Sequence, residues 1–251
     1  AEYAASVTCV CMPIEVSPKL LSSVFSGKYG TWLRFAPKLS DWTVLDAGKS
    51  GGMTSFYGRM TTDGDLSDFI TLFERTGAAS SKLSSVLPSN TLSAASVPFR
   101  NVAEYISEYQ MFLDARQSLQ TRRSTIDMLE KKVGVSPVAF FTRIETKEAA
   151  TASFLADGKL ERVNLIRAAK PDTLKNYAAG QHPYKYSSFA SAVFGNLFEL
   201  PDESSFTYVD GWIISGSPKA VDMFASGKAG KYTLKEYMVN AGLEDLFSAG
   251  Q

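Results

Sequence analysis

The chain carries 251 residues, 45% of them hydrophobic and 21% charged, with Lys plus Arg and Asp plus Glu both at 26 and a formal net charge of zero. Those proportions support a full core and exclude extensive disorder, and the balanced charge speaks against nucleic-acid binding, which draws on a basic excess. No apolar run approaches the roughly 20 residues that cross a bilayer as a helix, and a single histidine excludes multi-histidine zinc or non-haem iron sites.

The first segment, Tyr3 to Met12, reads as a strand bounded by Pro13. Ahead of it, Ala1-Glu2-Tyr3 has the look of a chain whose leader has been removed, although a trimmed tag leaves the same start. Cys9 and Cys11 would share one face of that strand, about 6.6 Å apart at the usual rise. A disulfide needs Cβ atoms near ~3.8 Å, so bridging them requires a bend or bulge. Two buried thiols are the simpler reading, and a metal site would need further ligands that only His182 could begin to supply.

A short helix is expected from Ser17-Pro18 to Gly27, with Ser as cap and Pro in the first turn. Trp42 to Asp46 and Met53 to Thr61 read as a strand pair around the loop Gly48-Lys49-Ser50-Gly51-Gly52. Asp65 is placed as the cap of a helix whose Leu66, Phe69, Ile70 and Phe73 form the inward stripe and which Gly77 stops. Residues 78–90, rich in Ser and broken by Pro88, are the best candidate connector. A strand from Thr91 to Val97 leads into one long helical region, Asn101 to Val133. There Val102, Tyr105, Ile106, Tyr109, Phe112 and Leu113 line up, and Arg122, Arg123, Lys131 and Lys132 fall on a solvated face.

Gly134 ends that region and Ser136-Pro137 opens a short helix. Ala149 to Leu155 and Leu160 to Ala168 then form a strand pair around Asp157-Gly158. A polar loop with His182, Pro183, Tyr184 and Tyr186 precedes an expected strand, Phe189 to Leu200. The clearest hairpin joins Phe206 to Val209 and Trp212 to Ser215 through Asp210-Gly211. Directly behind it Ser217 caps a helix that turns Ala220, Val221 and Phe224 inward and ends at Gly227.

These elements predict an α+β fold with an antiparallel or mixed sheet. Two hairpin-then-helix segments, Trp42 to Gly77 and Ser205 to Gly227, suggest a diverged internal duplication. The expected organisation is a first α+β unit over residues 1–88 and a second, larger one over 89–251, either separate or packed as one domain.

Tests for chemistry single out little. Gly48 to Gly52 matches G-x-S-x-G, but a nucleophile elbow needs a helix after the serine, and Met53 onward reads as a strand. A triad could draw only on Ser50 and His182, with no acid identified. No phosphate loop, dinucleotide fingerprint or metalloprotease motif occurs, and Asp63-Gly64-Asp65 lacks the remaining oxygen ligands of a calcium loop. No cofactor is expected. Trp42 and Trp212 lie within strands and read as core, whereas His182, Tyr184, Lys185 and Tyr186 form the best candidate surface for a sugar or peptide.

The run Phe189-Ala190-Ser191-Ala192-Val193-Phe194-Gly195-Asn196-Leu197-Phe198, then Phe206 to Ser217 with its Tyr208-Val209-Asp210-Gly211 core, Ala220-Val221 and Tyr232-Thr233-Leu234, resembles a bacterial family of domains of unknown function. Leu87-Pro88-Ser89-Asn90-Thr91-Leu92 and the helix after it are similar to the same family. Its members are secreted or lipid-anchored envelope proteins, typically of gut anaerobes, and tend to be longer than this chain. The resemblance implies a periplasmic, outer-membrane or surface location with a lipid anchor upstream, and no known activity. The expectation is therefore a non-enzymatic binding or scaffolding protein whose partner is an envelope protein or glycan. A serine hydrolase using the Ser50 loop is the alternative.

Overall fold

The computed structural model describes residues 8–13, 42–50, 53–77, 79–169, 186–227 and 232–242. The fold is α+β, as the sequence predicts, with helices packed on a five-stranded antiparallel sheet. Contacts divide the chain into two units, Ala1–Arg75 with Glu108–Ser118, and Thr76–Ser107 with Leu119–Gln251. The expected boundary at residue 88 lies inside the second of these.

In the first unit β1 (Thr8–Pro13), β2 (Trp42–Ser50) and β3 (Met53–Thr61) form an antiparallel sheet in that order. The β1 pairing is regular, Cys9 opposite Asp46 and Cys11 opposite Val44, without a bulge between them. Gly48, Lys49 and Ser50, expected in a loop, belong to β2, whose ladder closes on Ser50 opposite Met53. The helix expected over residues 17–27 lies outside the described residues.

Helix α1 (Phe69–Thr76) starts later than predicted. Asp65 does not cap it; its carboxylate accepts from the Ser67 N–H (2.7 Å) and closes a turn ahead of the helix. The buried face is also shifted. Asp68, Thr71, Leu72 and Thr76 are buried while Phe69, Ile70 and Phe73 are half-buried. A hydrogen bond from Thr62 Oγ1 to Asp68 (3.1 Å) and a hydroxyl contact with Thr71 (3.0 Å) make that polar burial tolerable. The Phe69 ring meets Phe73 and Phe112 edge-on, at 5.2 and 5.4 Å between centroids.

The region expected as one long helix is two, α2 (Val102–Ala115) and α3 (Leu119–Val133). The break is a Schellman closure in which Ser118 N–H bonds Leu113 O and Gln117 N–H bonds Asp114 O, both at 2.8 Å. Gln117 holds the left-handed position, φ +55°, that glycine usually fills. The predicted α2 stripe is buried throughout. α3 contains no fully buried residue; Arg123, Lys131 and Lys132 are exposed as expected. Arg122 is the exception, half-buried and donating to Ser191 O (2.6 Å) and Asn196 Oδ1 (3.1 Å).

The sheet of the second unit runs β4 (Thr91–Pro98), β5 (Thr146–Ala156), β6 (Lys159–Ala168), then β8 (Trp212–Gly216) and β7 (Ser205–Val209) at the far edge. Both hairpins turn on Asp-Gly with two successive left-handed residues, φ +50° and +75° at Asp157-Gly158 and +47° and +85° at Asp210-Gly211. That turn matches the strand twist, which is why Asp-Gly is such a legible signal. β5 is the central feature. Its Ala149, Ala150, Ala152, Thr151 and Ser153 are small and buried, so elements can close on both of its faces. On one face Ala150, Ala152, Phe154, Val163, Leu165, Trp212 and Ile214 pack under Leu83, Leu87 and the α6 (Pro218–Ala225) residues Ala220 and Phe224.

Residues 79–90 are therefore not a connector, because Leu83 and Leu87 enter this core. Phe189 to Leu200 is not a strand either. It forms α5 (Phe189–Phe194) and a 3-10 turn, Asn196–Phe198, with Gly195 between them at φ +106°. Phe194 meets Phe99 (5.3 Å) and Phe141 of α4 (Pro137–Arg143; 4.7 Å). A further helix, α7 (Leu234–Asn240), has no counterpart among the predicted elements, although its Thr233–Glu236 capping box is complete.

Candidate functional site

The residues singled out from the sequence are placed unevenly. His182, Tyr184 and Lys185 lie outside the described residues. Tyr186 is described and half-buried, with its ring stacked on Phe140 (4.9 Å, 20°) and set edge-on to Phe189 (5.3 Å, 77°). Both partners are buried, so this ring extends the aromatic core, where a sugar or peptide platform would present an open face. Ser50 ends β2 and a strand follows it, so the chain lacks at this point the strand–serine–helix geometry of a nucleophile elbow.

Two buried polar clusters occupy opposite faces of the five-stranded sheet. On the α6 face, Glu148 is 0% exposed. Its carboxylate accepts from the Ser81 hydroxyl and from the Lys82 N–H (2.8 Å), and Arg167 Nε stands 3.4 Å away as an ion pair. The Arg167 guanidinium lies 5.9 Å from the Trp212 ring centroid, so the cation is held between a carboxylate and an aromatic ring. Glu148, Arg167 and Trp212 stand in one cross-strand row, which is how three distant residues come together.

On the other face Asn164, also fully buried, donates to Phe198 O (2.7 Å) and to Glu203 Oε1 (3.2 Å). Glu203 accepts in addition from Ser215 Oγ (2.7 Å) and Ser188 N–H (2.8 Å). One carboxylate thereby ties the loop after the 3-10 turn and the start of α5 to β6 and β8. Both clusters direct most of their polar atoms at neighbouring chain, the chemistry of framework fixation, while Asn164 Oδ1 and Arg167 Nε are buried without a hydrogen-bond partner among the described residues. Among the described residues no three His, Cys, Asp or Glu side chains group closely enough to hold a metal ion.

The surface tells a different story at one end of this sheet. Leu155 and Leu160 are direct partners across the β5–β6 hairpin and remain 44% and 49% exposed. Leu92 is 60% exposed within the bulge that offsets β4 from β5 beside Ser153 and Phe154. Asn90 Nδ2 bonds Leu155 O (3.0 Å), fixing the start of β4 to the hairpin. Leu155 and Leu160 are thus held outward by a paired ladder, and Leu92 is exposed in the adjoining bulge. Contiguous exposed apolar patches, unlike scattered single side chains, are the surfaces that commonly meet a partner.

No protein-family model, no curated protein and no solved structure matches this chain. The functional reading consequently rests on the residues themselves. The leucine group escapes the motif tests because it carries no chemistry. Its signal in the sequence is Leu155 and Leu160 placed symmetrically about Asp157-Gly158, at positions where an exposed hairpin end usually carries polar residues.

Proposed function

We propose that this chain is a non-enzymatic binding or scaffolding protein of the cell envelope, periplasmic or held at the outer membrane or surface by a lipid anchor on a longer gene product. The observation that carries the binding reading is the group of exposed leucines at the hairpin end of the five-stranded sheet. Aliphatic side chains on a rigid ladder suit a protein partner better than a glycan, whose recognition draws on aromatic platforms and convergent hydrogen bonds. The envelope assignment is supported by the patterned resemblance over residues 189–234.

Fractionation of cells making the full-length product tests the location. Recovery with envelope or periplasm, together with a processed or lipidated N-terminus by mass spectrometry, is the expected result; recovery in the cytosol contradicts it. Ser50→Ala in parallel ester and peptide hydrolysis assays tests the enzymatic alternative. The binding reading predicts no turnover from either form, whereas turnover lost on substitution would overturn it.

A further inference from the structure

No further inference is drawn: the strongest candidate, the exposed Leu92, Leu155 and Leu160 group at the β5–β6 hairpin end of the five-stranded sheet, belongs to the site already described, and nothing in the structure shows what covers it.

Discussion

A carboxylate taken out of water needs both oxygens bonded, and Glu148 meets that need with the Ser81 hydroxyl and the Lys82 N–H, with Arg167 beside it as an ion-pair partner. Glu148→Ala leaves two donors without an acceptor and a partly buried guanidinium without its counter-charge. The expected loss is about 2–4 kcal/mol, below the upper range for a buried pair because Arg167 is 27% exposed. Urea unfolding followed by tryptophan fluorescence reads it, and a change smaller than about 0.5 kcal/mol would show the cluster to be incidental. Neighbouring arginines on α3 make a sharper comparison. Arg122→Ala should cost about 1–2 kcal/mol through its two lost hydrogen bonds, while the exposed Arg123→Ala should stay within about 0.5 kcal/mol. Sequence could not separate the two, since adjacent arginines differ only in which face of the helix the neighbours leave open. Tyr186 was equally ambiguous. Removing its ring should lower stability by about 1–2 kcal/mol, as expected for a ring stacked on Phe140 and unlike a free surface tyrosine.

At the scale of elements, local chemistry decided how much was readable. Both Asp-Gly hairpins and the Ser217-Pro218 helix start carry signals within four residues, and Ser217 Oγ does accept from the Ala220 N–H (3.1 Å). Phe189 to Leu200 carries no such signal. Phe189, Ala190, Ala192, Val193 and Phe194 are all buried, so the run has neither a two-residue nor a 3.6-residue period, and only its surroundings make it helical. The α2–α3 break was hidden for the opposite reason: Gln117 sits where a glycine would have announced it. Gln117→Gly should therefore raise stability by about 0.5–1 kcal/mol, with the relief of left-handed strain exceeding the entropy that glycine adds to the unfolded chain. A lower urea midpoint would refute that account. α7 offers a test in pH. Hydrogen bonds from the Thr233 backbone and then its hydroxyl hold the Glu236 carboxyl below its ordinary value. A depressed folded-state pKa means the contribution is complete above the unfolded value and is lost as pH falls through the folded one. The midpoint difference between wild type and Glu236→Ala should accordingly be present at neutral pH and close in acid.

For the whole molecule, the class of fold was legible because hairpins and helices each announced themselves, whereas the division of the chain was not. The Ser-rich stretch around residues 79–90 has the composition of a linker, yet Leu83 and Leu87 enter the same core cluster as Ala220 and Phe224 of α6, and two well-placed leucines outweigh many serines. The same residue type, placed outward at Leu92, Leu155 and Leu160, carries the functional reading. Its most direct test is retention of solubilised envelope proteins on the immobilised chain, comparing wild type with the double variant Leu92→Asp and Leu160→Asp. Both positions are exposed, so the variant should keep the wild-type unfolding free energy within about 1 kcal/mol. The account predicts a discrete envelope protein retained by wild type and bound at least about tenfold more weakly by the variant, a loss of about 1.4 kcal/mol. Equal retention by the two forms, or retention by neither, would contradict it.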